Sequence, residues 1–265
     1  MKEGLKMALR DEYYIIESDR IKIIKGDSNN NGVLTRSLVN RILEEVNGFS
    51  VYANILNQWK FKSFFIEIGG EIRNIEPGAF RDCEFINKLR IVKNDYNSPF
   101  FISNYAFFNC FNLETVEINV NTELFINKSV FANCTKLTNV NLSCKTIMIQ
   151  QNAFMNCSSI NTIIIPEKVS KVDAKSFWGC TGLKKIYIPR SYSNCPIMFY
   201  TTDAEVVFYD GTDEIGKIFK DSFNNESSAY ESKSNIVPDT QKSSFKSFSG
   251  VVRPNLIANK KKNKL

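Results

Sequence analysis

The chain has 265 residues, with 34 Lys and Arg against 28 Asp and Glu, no His, 21 Phe and 7 Cys. Absence of histidine removes the commonest general acid and base, every Ser-His-Asp or Cys-His arrangement and most zinc and haem sites. A net charge of +6, with no continuous apolar run of about 18 to 20 residues, argues against a nucleic-acid-binding domain and against a membrane-spanning helix.

From the N-terminus, Lys6, Arg10, Asp11 and Glu12 interrupt any apolar stretch that a secretory signal would need. The expectation is a chain in a reducing compartment, cytoplasmic by default, with its cysteines as thiols. Cell-surface display by unconventional export is the alternative. Tyr13 to Ile16 and Ile21 to Ile24 flank a polar Glu17-Ser18-Asp19-Arg20 and read as a β-hairpin, followed by a loop from Gly26 to Gly32. Thr35 suits a helix N-cap, and Leu38, Val39, Ile42, Leu43 and Val46 recur at helical spacing until Gly48. Residues 1–62 are expected to form a cap over the apolar end of the next domain, a separate small functional domain being the alternative.

That next domain is an internal repeat. Phe-x-x-Cys occurs at Phe80/Cys83, Phe107/Cys110, Phe131/Cys134, Phe154/Cys157 and Phe177/Cys180, spaced 27, 24, 23 and 23 residues apart. Five residues before each Phe stands Ile75, Ile102, Ile126, Ile149 or Val172, and just before it Ala79, Ala106, Val130, Ala153 or Ser176. Three residues after each Cys comes Ile86, Leu113, Leu137, Ile160 or Leu183. An alternating pair completes the unit: Leu89/Ile91, Val116/Ile118, Val140/Leu142, Ile163/Ile165 and Ile186/Ile188. Alternation predicts a short strand, and the small residue, Phe, Cys and Leu suit a turn of helix or a tight bend. No single unit can bury its own apolar side, whereas stacked units bury one continuous core, with like residues about 4.8 Å apart from coil to coil.

In these positions the chain resembles the BspA-like (Treponema-type) leucine-rich repeats, whose unit of about 23 residues carries the same A-F-x-x-C-x-x-L-x-x-I-x-I-P signature. Ile165-Pro166 and Ile188-Pro189 keep even the proline. The resemblance spans about residues 63–210. It implies a repeat solenoid, a right-handed β-solenoid or horseshoe with one short parallel strand per coil, and a use in protein binding, with surface exposure and adhesion in related proteins. Asn94 to Pro99 lengthen one unit and are expected to bulge outward.

Val206 to Tyr209 read as a closing strand, so the repeat domain is assigned to 63–210. Residues 211–265 read as a disordered basic tail, ending Lys260-Lys261-Lys262-Asn263-Lys264 and able at most to touch an anionic surface weakly.

Phosphate loops and nucleophile elbows are missing, the five cysteines lack the close pairing of zinc ligands, and neither a catalytic residue, a metal nor a cofactor is assigned. Stacking would bring neighbouring cysteines within disulfide range, but a buried row of thiols is the preferred reading. Cys144 and Cys195 lie off that row. The outward side of the strands is the remaining candidate surface. One row there is Glu67, Arg90, Glu117, Asn141, Ile164 and Tyr187; beside it run Phe65, Lys88, Thr115, Asn139, Thr162 and Lys185. Mixed sign fits a protein partner better than a nucleic-acid backbone, no small-molecule substrate is expected, and Tyr187, Ile164 and Arg90 are the expected anchors. The expected function is a non-enzymatic interaction module resembling surface antigens or adhesins. An intracellular adaptor with a basic tail is the alternative.

Overall fold

The computed structural model describes residues 13–16, 20–47, 64–69, 71–92, 97–173, 175–192, 204–210 and 212. All described elements belong to one compact unit, Met1–Asn224. The predicted tail, apart from Thr212, and Cys195 lie outside the described residues, as does part of the predicted bulge.

The chain opens with the predicted hairpin, β1 (Tyr14–Ile16) antiparallel to β2 (Arg20–Ile23). A two-residue β3 (Val33–Leu34) leads into helix α1 (Arg36–Asn47). Two side chains satisfy orphan amides at the helix start: Thr35 Oγ1 accepts from Leu38 N at 3.1 Å, and Glu76 Oε2 accepts from Arg36 N at 2.7 Å. Leu38, Val39, Ile42 and Leu43, the predicted apolar face, are buried in the main core.

Each repeat then makes two strands rather than the single one expected. After β4 (Phe64–Ile68), which carries Ile66 and Ile68, the alternating pairs lie on β6 (Ile86–Ile91), β8 (Thr115–Asn119), β10 (Asn139–Ser143) and β14 (Lys185–Pro189), while β12 (Thr162–Ile164) holds Ile163 and ends one residue before Ile165. The β-branched residue five before Phe ends a second strand: β5 (Asn74–Ile75), β7 (Phe100–Ile102), β9 (Glu123–Ile126), β11 (Thr146–Ile149) and β13 (Val169–Val172). The closing strand is β15 (Glu205–Tyr209), parallel to β14.

Like strands pair from coil to coil. One sheet runs β1-β2-β4-β6-β8-β10, a second runs β13-β11-β9-β7-β5-β3, and a third holds β12-β14-β15. All pairings between the described strands are parallel except β1 with β2. Inward side chains of both long sheets, such as Leu89, Val116, Ile102 and Ile126, meet in one core with less than 1% exposure each. The result is a β-solenoid of parallel coils.

The segment around Phe-x-x-Cys is a bend, not a helical turn, and it is knit between coils by the backbone. Phe80, Phe107, Phe131 and Phe154 each donate N–H to the residue before the next coil's Phe, at 2.7 to 2.9 Å. The five phenyl rings stack through the core, centroids 4.9 to 5.4 Å apart and planes within 20° of parallel.

Candidate interaction surface and its supporting rows

Three rows of side chains run along the coils, and their geometry sorts structure from surface. The first is the cysteine row. Cys110, Cys134, Cys157 and Cys180 are fully buried, and each Sγ donates to the carbonyl of the preceding coil's Phe at 3.0 to 3.4 Å. That carbonyl also accepts the N–H of its own coil's Cys, so both lone pairs are used. Burial pushes the thiols up: to about 12 at Cys83 and Cys144, and well above the ordinary value at Cys110, Cys134 and Cys157. A nucleophile or metal ligand needs the thiolate, so these groups are pitched for packing. All six described cysteines are free thiols, with Cys144, off the row, partly exposed.

The second row is absent from the sequence expectations. The residue just before each Cys is Asp82, Asn109, Asn133, Asn156 or Gly179, and all five are left-handed, with φ between 59° and 77°. Their side chains join the coils: Asn109 Nδ2 donates to Asp82 Oδ1 at 2.8 Å, Asn133 Nδ2 to Asn109 Oδ1 at 2.8 Å, and Asn156 Nδ2 to Asn133 Oδ1 at 2.9 Å. Asn, Asp and Gly are the residues that tolerate this backbone. Their recurrence in F-x-[D/N/G]-C is the signal the sequence carries for it.

The third row is the outward strand side. In register, Lys22, Glu67, Arg90, Glu117 and Asn141 stand across β2 to β10, beside Arg20, Phe65, Lys88, Thr115 and Asn139. The predicted rows therefore exist over these strands, and β2 adds Arg20 and Lys22. The alternation Arg20-Ile21-Lys22-Ile23 carries that signal, although the hairpin is expected from sequence to serve the cap and not the face.

These side chains hold one another. Glu67 Oε2 accepts from Arg20 Nη1 at 2.9 Å and lies 3.6 Å from Arg90 Nη1, while its Oε1 lies 3.7 Å from Lys22 Nζ. Glu117 pairs with Lys88 Nζ and with Arg90 Nε, both at 3.1 Å. Above Phe65 sit Arg20, 5.0 Å from the ring centroid, and Lys88, at 4.9 Å.

Beyond β10 the row is interrupted, because β12 pairs with β14 and not with β10. Ile164, Tyr187 and Val207 are in register there, beside Thr162, Lys185 and Glu205. Two expected exposures are corrected. Tyr187 is only 8% exposed, packed with Tyr209, Ile164 and Val207 in a small cluster apart from the main core, where Tyr209 Oη donates to Ile165 O at 2.6 Å. Glu67 is buried beneath the cations it bridges, with 6% of its surface exposed. Alternation sets which way a side chain points; neighbours on the next strands decide whether solvent reaches it.

Among the described residues, no group of three or more His, Cys, Asp or Glu is placed to hold a metal ion, and no helix is long and apolar enough to cross a membrane.

Compared with known proteins, residues 100–230 match the family model described as BspA type Leucine rich repeat region (6 copies). No curated protein matches the chain. Among solved structures, the chain is similar to a leucine-rich repeat protein of T. pallidum, at 13% identity and a TM-score of 0.41, covering 80% of this chain and 93% of that one. It is also similar to a leucine-rich repeat protein from Bacteroides ovatus, at 18% identity and a TM-score of 0.29, covering 56% of this chain and 46% of that one. A third is a leucine-rich cell surface protein from Faecalibacterium prausnitzii, at 12% identity and a TM-score of 0.25, covering 77% and 94%. The family match starts after the first Phe-x-x-Cys unit, yet Phe80 stacks on Phe107 as the later rings stack on one another. With its repeat signature, parallel coils and family match in agreement, the chain belongs to the BspA-type leucine-rich repeat family.

Proposed function

We propose that the chain is a non-enzymatic module that binds a protein partner through the outward side of β2 to β14. The carrying observation is the division of labour among the three rows. Phenyl rings, thiols and the Asn row are consumed in joining coil to coil, whereas Phe65, Lys88, Arg90, Glu117, Asn141, Ile164 and Lys185 keep part of their surface in solvent on one face. Mixed charge beside an aromatic ring suits protein recognition. Glu67 and Tyr187 support that face from below. In the same proposal residues 1–62 act as the N-terminal cap, 63–210 as the repeat domain and 211–265 as a basic tail.

A photo-crosslinking amino acid placed in turn at Arg90, Asn141 and Lys171 tests the face. Discrete adducts from the first two positions and not from Lys171, on β13 of the other long sheet, are expected; adducts of equal strength from all three would refute it.

Within this reading, a surface antigen or adhesin is favoured by the surface exposure and adhesion of related BspA-like repeat proteins, and an intracellular adaptor by the Lys260 to Lys264 cluster. Antibody labelling of intact and permeabilised cells separates the two. Signal on intact cells supports surface display, and signal only after permeabilisation supports the adaptor.

A further inference from the structure

The strand face differs along its length, and the difference has a sign. Among the described residues of β2, β4, β6 and β8, four cations, Arg20, Lys22, Lys88 and Arg90, stand with two carboxylates, Glu67 and Glu117, an excess of two positive charges on these strands. Depth sharpens the excess. The cationic side chains are 25 to 35% exposed, but the Glu67 side chain is 8% and that of Glu117 18% exposed. Negative charge therefore lies low and positive charge lies outermost. Next to it β10 presents only the neutral Asn139 and Asn141 on these rows.

We infer that this N-terminal part of the face binds an acidic segment of the protein partner, the carboxylates of that segment being taken by Arg20, Lys22, Lys88 and Arg90. The inference rests on the strand-face reading above and adds the chemistry of the partner. Each guanidinium carries five N–H donors and each ammonium three, so the ion pairs to Glu67 and Glu117 leave Lys22, Lys88 and Arg90 with donors to spare. Held by those carboxylates and by the Phe65 ring, the cations are already ordered, which lowers the entropy lost on binding. Phe65 adds an aromatic surface between two of them. A nucleic-acid backbone fits less well, since evenly spaced phosphates would run past Glu67 and Glu117 and meet an excess of only two charges.

The test is fluorescence anisotropy of the full chain with a labelled peptide of eight glutamates, an equal peptide of eight lysines, and a twenty-nucleotide oligothymidylate. The glutamate peptide should bind and the lysine peptide should not, with affinity falling as salt is raised. Lys22→Gln with Lys88→Gln cancels the excess while leaving Glu67 and Glu117 paired to arginine, and should weaken binding by about tenfold or more. Lys168→Gln with Lys175→Gln makes the same change of net charge at exposed positions away from these strands and should alter it by less than about twofold. Both variants should melt with the parent.

Equal losses in the two variants, absence of glutamate-peptide binding, or tighter binding of oligothymidylate than of the peptide would overturn the inference. Failure of the wider reading looks different. Adducts at Arg90 and Asn141 that persist in Lys22→Gln with Lys88→Gln would keep the strand face and discard its acidic ligand. Lysine-dependent peptide binding without adducts would keep the ligand chemistry and discard the rest of the face.

Discussion

At the scale of single residues, Asn133 shows two demands met by one side chain. Its backbone is left-handed at φ 64°, and its amide both donates to Asn109 and accepts from Asn156. Asn133→Gly keeps the backbone and loses the two hydrogen bonds, at a cost of about 1 to 2 kcal/mol. Asn133→Ala loses both and adds about 1 kcal/mol for an alanine in the left-handed region. Urea unfolding should therefore rank the parent above Gly and Gly above Ala, and equal stability of the two variants would show that φ carries no weight there. Gly179 meets the same backbone demand differently, because a Cβ there would collide with Asn156 Oδ1. Glu67 illustrates the opposite case of a charge held low. Glu67→Gln keeps shape but leaves Arg20, Lys22 and Arg90 without their shared carboxylate, so a loss of about 1 to 3 kcal/mol is expected by thermal unfolding, against about 0.5 kcal/mol or less for the exposed Glu114→Gln.

Elements arise from how those residues repeat. The alternating strand was legible because its apolar pair recurs in every unit, and the Phe-x-x-Cys bend because five copies share it. The second strand was not legible as a strand: its inward residue recurs, but its neighbours, Asn74, Phe101, Phe125, Met148 and Lys171, share no chemical type. There pairing with the adjacent coil, not local propensity, makes the element. The cysteine row bears a prediction of its own. Cys83 is raised from the ordinary 9.0 to about 12 by burial, so between those values the unfolded chain releases a proton that the folded chain keeps. Stability is then unaffected below about pH 9 and falls as pH rises, by at most about 1.4 kcal/mol per pH unit for that thiol. Cys83→Ala should lose less stability than the parent between about pH 8 and about pH 10.5, the difference approaching about 2 kcal/mol in paired urea titrations. Identical losses would mean that the thiol ionises within the fold at no cost.

For the whole molecule, recurrence of the same apolar positions in every repeat implied an unbroken stack, and the second sheet is unbroken from β3 to β13 while the first stops at β10. The units on either side share one sequence frame, so the interruption could not be read from spacing. Its physical setting is visible in the side chains. Val140 is only half-buried where Val116 and Ile163 are fully buried, polar Asn139 and Asn141 flank it, and β12 is cut to three residues ahead of Pro166, which has no N–H to donate. The solenoid is thus held across this seam by β11 with β13, by the stacked Phe131 and Phe154 rings and by the Asn133 to Asn156 hydrogen bond, while the opposite wall is left unpaired. Since Ile165 N–H donates to Tyr187 O, strand alternation turns the N–H of Ile164 toward β10. Glu117 occupies the equivalent repeat position in β8, a strand paired on both sides. Hydrogen exchange read by residue should find the Ile164 amide opening about a hundredfold more readily than that of Glu117, because local opening at an unpaired edge needs no separation of coils. Equal protection at the two positions would mean that β10 and β12 pair in solution and that the first sheet runs the full length of the repeats.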